Sequence, residues 1–201
     1  MIALIDYGIG NLHSVLNALI AVGAQVSIGG SPQAILSADK LVLPGVGAFG
    51  DGIRGLQERG LVEVIRAMVE RRVPLLGICL GMQLLFEGSD ERGQHSGLGL
   101  LPGRVRRFQA PGFKVPHTGW NQLVLERGDR LLAEVPTGSF VYFNHSYYCD
   151  AHSPTEVIAT TDYGTCFPSI VGRDVLYGVQ FHPEKSQAVG MRILRNFVES
   201  G

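Results

Sequence analysis

A cysteine flanked by glycines lies in an apolar stretch of this 201-residue chain. The run Val73–Ile78 is strand-like, Cys79 follows it with Gly77 and Gly81 two residues to either side, and Leu80–Phe86 is helix-like. Gly-x-Cys-x-Gly is the cysteine form of the nucleophile elbow, a strained strand-to-helix turn that exposes one side chain. N–H groups of the first helical turn favour thiolate over thiol. A buried, unreactive cysteine is the alternative, so the interpretation depends on a base elsewhere in the chain.

Among six histidines, His182 is the one with its own orienting group. It ends the apolar run Val175–Phe181, and Glu184 follows two residues later, on the same face of an extended segment. A cysteine nucleophile needs a base to take its proton, and a carboxylate on the far ring nitrogen fixes the tautomer. Cys79, His182 and Glu184 therefore predict a cysteine hydrolase or acyl transferase. Zinc is the rival ligand for such side chains, but no second cysteine or histidine stands at ligand spacing near Cys79 or His182, so no metal is expected.

Composition narrows the class of protein. The 17 basic and 18 acidic residues give a formal charge of −1, which indicates neither a nucleic-acid partner nor an anionic membrane partner. Three cysteines form no even framework and no C-x-x-C, which is typical of a reducing compartment. The first residues lack the features of a signal peptide, and the apolar run Val73–Phe86, which contains Pro and Gly, is shorter than the roughly 20 residues of a membrane helix. We expect a soluble, cytoplasmic protein.

The elements that must position these side chains alternate in the first half of the chain. Strand-like runs occur at Ile2–Ile5, Ala24–Ile28, Lys40–Leu43 and Val73–Ile78, and Leu61–Glu70 is an amphipathic helix. Apolar strands that alternate with helices indicate a parallel sheet covered on both faces.

The second half of the chain predicts short antiparallel strands added to that core. Glu87–Gly97 is polar and contains glycine, which predicts a loop, and Ser186 begins a last helix. The overall prediction is one α/β domain over residues 1–201, with a mostly parallel central sheet flanked by helices. The strand-like runs of the second half are Arg104–Phe108, Trp120–Leu125, Phe140–Phe143, Val157–Thr161, Phe167–Val171 and Val175–Phe181.

Two glycine turns follow early strands. Gly8-x-Gly10 invites a dinucleotide-binding interpretation, but the third glycine is missing and no acidic residue ends the second strand, so no cofactor is expected. Pro44-Gly45-Val46-Gly47 follows the third strand and is rich enough in glycine to expose backbone N–H groups.

Together these segments resemble class I glutamine amidotransferases. The match is carried by the elbow around Cys79, the Pro44–Gly47 turn and Phe181-His182-Pro183-Glu184. Asn144, where an apolar residue such as Val is expected, is a departure outside the catalytic positions. The likeness spans residues 2 to about 197, and three further stretches resemble the glutaminase subunits of imidazole glycerol phosphate synthase, a histidine-pathway enzyme: Ile5–Leu12, Lys114–Asn121 and Tyr142–Tyr147.

The resemblance implies how the site works. Cys79 would attack the side-chain amide of L-glutamine, His182, oriented by Glu184, would protonate the departing ammonia, and water would then hydrolyse the thioester. Backbone N–H groups of Leu80 and of the turn Gly45, Val46 and Gly47 would stabilise the oxyanion. The resemblance further implies that the backbone ends of glutamine are held by Gln83, Glu91, Ser146 and Tyr147.

Free ammonia would be protonated and lost in water, so the resemblance implies a closed path to a second active site. In that family the acceptor site lies in a separate (β/α)8-barrel cyclase, which forms a heterodimer with the glutaminase. The cyclase converts a ribulosyl aminoimidazole carboxamide ribonucleotide (PRFAR) to imidazole glycerol phosphate and the ribonucleotide AICAR. A barrel of about 250 residues has no room in this chain, so the partner is another polypeptide. Candidate partner contacts are His117, Trp120, Asn121, Tyr142 and Lys185.

Three other functions are compatible with parts of the pattern. The glutaminase of another amidotransferase, such as that of pyridoxal phosphate, anthranilate or GMP synthesis, would keep the triad but should lack the Lys114–Asn121 and Tyr142–Tyr147 stretches. A non-catalytic subunit with this fold would be expected to lose Cys79 first. A self-standing cysteine hydrolase should act at full rate without a partner.

Overall fold

A mixed sheet of eight strands lies at the centre of the computed structural model, which describes residues 1–109 and 112–200. Sheets of four and two strands accompany it among the described residues. The strands are β1 (Ile2–Ile5), β2 (Val26–Gly29), β3 (Lys40–Leu43), β4 (Leu75–Ile78), β5 (Phe86–Ser89), β6 (His95–Ser96), β7 (Leu101–Arg107), β8 (His117–Gln122), β9 (Val124–Leu125), β10 (Phe140–His145), β11 (Tyr147–Ala151), β12 (Val157–Asp162), β13 (Cys166–Arg173) and β14 (Leu176–Val179). The helices are α1 (Leu12–Ala21), α2 (Pro32–Leu36), α3 (Phe49–Glu58), α4 (Leu61–Glu70), α5 (Leu80–Leu84) and α6 (Gln187–Glu199).

The central sheet changes from parallel to antiparallel pairing across its width. Neighbours in the order β2, β1, β3, β4 and β14 are all parallel. Strands β13, β12 and β9 continue the sheet in antiparallel pairing. Strands β1, β4 and β14 are buried along their whole length, as expected of strands covered on both faces. The predicted α/β class, a mostly parallel sheet with added antiparallel strands, is confirmed.

Alternate side chains of the central strands enter two separate cores. Ile2 and Leu4 of β1 pack with residues of α1 and α6 on one face of the sheet. Ala3 and Ile5 pack with residues of α2, α3, α4 and α5 on the other face. This alternation follows from the two-residue period of a strand, and it leaves the ends of the strands as the places where polar groups can gather. No helix within the described residues is long and apolar enough to cross a membrane.

Two small sheets lie beside the carboxyl ends of the central strands. Strands β8 and β10 are antiparallel and pair Trp120 with Tyr142 and His117 with His145. The other small sheet has the order β11, β7, β5, β6. Because Ser146 is the single residue between β10 and β11, the two small sheets together fix the course of the chain there.

Several elements match their predicted bounds and others do not. Strands β1 and β3 and helix α4 have the predicted ends. The prediction that Glu87–Gly97 is a loop is wrong, because most of β5 and all of β6 lie within it. A Cβ on Gly88 would overlap the carbonyl oxygen of His95, so this glycine marks a close approach of two strands. The prediction that Val175–Phe181 belongs to the antiparallel set is correct on one side only, because β14 pairs antiparallel with β13 but parallel with β4.

Helix α3 is not predicted from the sequence, because glycines interrupt its apolar pattern. These glycines are required by close packing. A Cβ on Gly55 would overlap the carbonyl oxygen of Tyr7, and a Cβ on Gly50 would overlap the ring of His95. Tertiary contacts thus override a poor intrinsic helix propensity, and they place α3 against Tyr7 and against His95 of β6.

Candidate active site

Cys79 lies between the carboxyl end of β4 and the start of α5. Its φ is +55°, in the left-handed region where a residue with a side chain is strained. Helix α5 begins so close to β3 that a Cβ on Gly81 would collide with the carbonyl oxygen of Leu43. The N–H of Cys79 donates to the carbonyl of Val179 at 2.8 Å, which ties the turn to β14. This geometry is that of a nucleophile elbow.

His182 reaches the same edge of the sheet because β14, which it follows, is the parallel neighbour of β4. The ring lines the same cavity as Cys79, which is close enough to raise the pKa of the imidazole. On its other side, Nδ1 lies 2.9 Å from Oε1 of Glu184. The side chains of His182 and Glu184 are only 4% and 2% exposed. The structure therefore brings the three predicted catalytic residues together, with His182 in the middle.

The environment of His182 favours its charged form. Burial by itself lowers the pKa of the ring. The interactions with Cys79 and Glu184, through hydrogen bonding and negative charge, outweigh burial and raise this pKa to about 10. Because this pKa is above the 6.5 of a free histidine, the pairing stabilises the fold fully below pH 6.5. That stabilisation is lost as the pH rises through about 10. Near neutral pH the ring is therefore an imidazolium that can donate a proton.

A cavity of about 260 Å³ opens beside the sulfur and the imidazole. Most of the predicted catalytic, oxyanion and substrate-binding residues line it, whereas Gly45 and Glu184 do not. Asn144 and Lys185 also contribute to its wall, and Pro116 and His145 do so without having been predicted as site residues. The predicted residues in the wall are Val46, Gly47, Cys79, Leu80, Gln83, Glu91, Ser146, Tyr147 and His182.

Two buried glutamines connect the cavity wall to the nucleophile. Gln83 donates through Nε2 to the carbonyl of Tyr147 at 3.0 Å and to Oε1 of Gln180 at 3.2 Å. Gln180 in turn places its Nε2 3.8 Å from the Cys79 sulfur. Sequence reasoning missed Gln180. Its position two residues before His182, on the same face of an extended segment, is the signal that could have revealed it.

Glu91 has a structural contact in addition to its place in the cavity wall. Its Oε2 accepts the backbone N–H of Phe49 at 2.8 Å, at the first turn of α3. A carboxylate at a helix N-terminus is favourable, because it satisfies an otherwise unpaired N–H group. Glu91 thereby fixes the start of α3 immediately after the Pro44–Gly47 turn.

A carbonyl of the Pro44–Gly47 turn accepts a hydrogen bond from one of the predicted oxyanion donors. The N–H of Leu80 donates to the carbonyl of Gly45 at 3.3 Å. The carbonyl of Pro44 accepts the hydroxyl of Tyr7 at 2.6 Å. Burial raises the pKa of Tyr7, and the nearby Cys79 charge raises it further, so Tyr7 stays a donor. In this conformation Leu80 has no N–H available for a substrate.

The five predicted partner contacts lie on two sides of the β8–β10 sheet. Trp120, 46% exposed, and Tyr142 point outward with ring centroids 6.0 Å apart. The Lys185 ammonium lies 5.8 Å from the Tyr142 ring. The prediction that His117 contacts a partner is wrong, because strand alternation turns its side chain inward, where it is 2% exposed. Asn121 is half-buried on the same inner side.

Among residues 1–109 and 112–200, no three His, Cys, Asp or Glu side chains are grouped so that they could hold an ion. The remaining free cysteines differ from Cys79 in their surroundings. Cys149 is fully buried, and burial raises the pKa of its thiol well above the usual value. Cys166 is exposed on β13.

Comparisons with known proteins agree with this geometry. The family model for class-I glutamine amidotransferases matches residues 3–200. The imidazole glycerol phosphate synthase subunit HisH of Moorella thermoacetica is 52% identical to this chain, over 98% of it and 94% of that protein. HisH of Gloeobacter violaceus is 51% identical, over 98% of this chain and 88% of that protein.

Solved structures support the fold. A glutamine amidotransferase crystal structure has a TM-score of 0.77 at 20% identity, covering 98% of this chain and 97% of the other. The PurLQS structure from Thermotoga maritima has a TM-score of 0.75 at 17% identity, covering 98% and 96%. The chain thus belongs to the class-I glutamine amidotransferase family, together with the HisH subunits of imidazole glycerol phosphate synthase.

Proposed function

We propose that this chain hydrolyses L-glutamine to glutamate and ammonia, as the glutaminase subunit of imidazole glycerol phosphate synthase in histidine biosynthesis. The observation that carries the proposal is that His182, which is paired with Glu184, and Cys79 lie beside each other at one cavity. The near-full-length similarity to HisH subunits supports the same function.

The first half of the reaction forms a thioester. The Cys79 sulfur attacks the side-chain amide carbon of glutamine, and the amide oxygen becomes an oxyanion. The imidazolium of His182 gives its proton to the amide nitrogen, and the C–N bond breaks to release ammonia. Glu184 holds the Nδ1–H of His182, which leaves Nε2 to face the reacting atoms.

The second half of the reaction returns the enzyme to its starting state. Neutral His182 removes a proton from water, and the resulting hydroxide attacks the thioester carbon. The carbon–sulfur bond then breaks, glutamate leaves, and Cys79 is again a thiolate beside the imidazolium. Proton and charge thus balance over one turnover without a cofactor.

Catalysis requires the Pro44–Gly47 turn to change its conformation. The Leu80 N–H that would stabilise the oxyanion is donated to the Gly45 carbonyl. We propose that rotation of the peptides after Gly45 removes that carbonyl and presents the N–H of Val46 or Gly47 instead. Two donors would then point to the oxyanion, and each is worth roughly 10²- to 10³-fold in rate.

The ends of the substrate would be held by residues that already line the cavity. The Glu91 carboxylate suits the α-ammonium group, and the polar groups of Gln83, Ser146 and Tyr147 suit the α-ammonium and α-carboxylate. The amide group of glutamine would thereby lie at the sulfur of Cys79.

The acceptor of ammonia would be a separate (β/α)8-barrel cyclase, which converts PRFAR to imidazole glycerol phosphate and AICAR. We propose that it forms a heterodimer with this chain through the outward face of the β8–β10 sheet. Exposed Trp120, the adjacent Tyr142 and the cation of Lys185 are suited to an interface, where aromatic side chains act as anchors. Docking there would also enclose Lys185 in the cavity wall and so help to retain ammonia.

Substitution of Glu184 by glutamine should change the pH dependence of glutaminase activity. Glu184 helps to raise the His182 pKa to about 10, so wild-type activity that needs the imidazolium should fall only as the pH rises through that value. In Glu184→Gln the His182 pKa is lower, so the alkaline limb of kcat/KM should move to lower pH. The rate should also fall roughly 10²- to 10⁴-fold, because the ring loses its orienting group.

Glu156→Gln is the matched control, since Glu156 is a buried carboxylate paired with Arg173 away from the cavity. It should leave the pH profile unchanged. An alkaline limb that stays in place in Glu184→Gln would contradict the assigned role of this carboxylate.

The proposed function is tested by following the amide nitrogen. Glutamine labelled with ¹⁵N in its amide is supplied to this chain together with the cyclase and PRFAR. We expect the label in imidazole glycerol phosphate even when the medium contains unlabelled ammonia in excess. Label released only as free ammonia would mean that the chain is a glutaminase with a different acceptor.

A further inference from the structure

Two buried histidines form a continuous hydrogen-bond chain that ends at the cavity wall. Nδ1 of His145 lies 2.8 Å from the carbonyl oxygen of Tyr147, and Nε2 of the same ring lies 3.1 Å from Nδ1 of His117. Nε2 of His117 lies 3.4 Å from the side-chain amide nitrogen of Asn121. That amide nitrogen also donates to the carbonyl of Asp162 at 2.8 Å.

The direction of every bond in this chain is determined by its ends. The Tyr147 carbonyl can only accept, so His145 must carry its proton on Nδ1 and accept on Nε2. His117 must then donate from Nδ1 and accept from the Asn121 amide on Nε2. One neutral tautomer of each ring satisfies all three contacts. Burial supports this state, since it lowers the pKa of His145 to about 3 and that of His117 to about 4.

Aromatic neighbours prevent both rings from turning. His117 is stacked between Tyr163, with centroids 3.9 Å apart, and Phe143, at 4.7 Å. His145 lies 5.2 Å from the Phe167 ring. A rotated or flipped ring would lose these contacts as well as the hydrogen bonds, so the chain has a single arrangement.

The hydrogen-bond chain ends at the carbonyl of Tyr147, in a part of the cavity wall that contains no catalytic residue. The Tyr147 carbonyl receives one donor from His145 and a second from Gln83, which continues through Gln180 to the Cys79 sulfur. These two donors fix the backbone of Tyr147, which lines the cavity together with the preceding Ser146.

We propose that His145, His117 and Asn121 are positioning residues that set the affinity for glutamine by fixing the Ser146–Tyr147 segment. This inference rests on the proposed function, since it assigns that segment to the ends of a glutamine molecule. None of the three residues carries out a proton transfer in the reaction. Their effect belongs to substrate binding, so it should appear in Kd and KM and leave kcat nearly unchanged.

Two different substitutions of His145 test whether its hydrogen bond to Tyr147 sets the affinity for glutamine. The side-chain amide of asparagine reaches the place of Nδ1 of histidine, and that of glutamine reaches the place of Nε2. His145→Asn therefore keeps the donor to Tyr147, and His145→Gln loses it. Binding of L-glutamine is measured by calorimetry on the full chain carrying Cys79→Ala, which prevents turnover. We expect His145→Gln to weaken binding about tenfold more than His145→Asn does.

A purely structural role would predict a different pattern. Both variants remove a buried aromatic ring. If the role were only structural, the loss of glutamine affinity would follow the loss of thermal stability, whether or not the new amide can donate to Tyr147. Equal glutamine affinities in His145→Asn and His145→Gln would overturn the inference. If neither His145 variant folds, Asn121→Ala provides the test, because Asn121 is the half-buried end of the hydrogen-bond chain. We expect its Kd for glutamine to be two- to threefold weaker. An unchanged Kd would contradict the proposal.

Thr160→Val is the control. Thr160 donates to Oε1 of Glu126 at 2.6 Å beside strands β12 and β9, and neither residue lines the cavity or belongs to the hydrogen-bond chain. Its substitution should leave the affinity for glutamine unchanged, and a loss as large as that of His145→Gln would overturn the inference. Failure of the Cys79→Ala parent to bind L-glutamine at all would instead contradict the proposed function, so the two failures are distinguishable.

Discussion

Replacing Cys79 by serine should abolish glutamine-dependent synthesis of imidazole glycerol phosphate while synthesis from added ammonia continues. The serine hydroxyl at this elbow is a far weaker nucleophile than the sulfur, and loss of a nucleophile costs roughly 10⁴- to 10⁶-fold in rate. The cyclase site belongs to the partner, so its ammonia-dependent rate should stay within about twofold of wild type. Both rates are measured on the same complex, with glutamine or ammonium as the nitrogen source.

Cys166→Ser is the control for this experiment. Cys166 is an exposed thiol at the start of β13, outside the cavity, so its loss should change neither rate. Loss of both rates in Cys79→Ser would mean that Cys79 maintains the complex instead of attacking glutamine. Retention of glutamine-dependent synthesis would remove Cys79 from the mechanism altogether.

The second large effect is activation by the partner. We expect the purified chain to hydrolyse glutamine slowly, and the cyclase with its bound ligand to raise kcat by about 10²- to 10³-fold. The reason is the Leu80 N–H, which is donated to the Gly45 carbonyl and is therefore absent from the oxyanion site. The expected factor is that of one oxyanion donor. Release of glutamate is measured for the chain alone, with the cyclase, and with the cyclase and its ligand.

A variant at the outward face separates docking from chemistry. Trp120→Ala should leave the rate of the isolated chain unchanged, but more cyclase should be needed to reach half-maximal activation. Full activity of the wild-type chain without any partner would contradict regulation through the turn. It would leave the roles of Cys79, His182 and Glu184 intact.

The parts of the site that the sequence predicts are those determined by short segments. Gly77, Cys79 and Gly81 define the elbow locally, because only small residues fit beside a left-handed Cys79. His182 and Glu184 are two residues apart, so their contact also follows from local geometry. Periodic apolar patterns predict strands β1 and β3 and helix α4 for the same reason.

The parts that the sequence does not predict depend on contacts between distant segments. The orientation of the Gly45 carbonyl depends on Leu80, and Gln180 matters only because Gln83 and Cys79 lie beside it. The side of the strand on which His117 lies is decided by the register of β8 with β10. A shift of one residue would have turned the same side chain outward.

The parallel pairing of β4 with β14 has a consequence for how the site can be controlled. Cys79 and His182 are about a hundred residues apart in the chain, yet they follow adjacent strands of one ladder. Their separation is therefore set by the interstrand spacing, about 4.8 Å, which a bound ligand or partner cannot easily change. The peptides that follow Gly45 lie outside any ladder and can rotate by breaking the hydrogen bond from Leu80 to the Gly45 carbonyl, while Tyr7 still holds the Pro44 carbonyl. The nucleophile and its base thus lie on a rigid part of the carboxyl edge of the sheet, and the turn that controls them lies on a deformable part of the same edge.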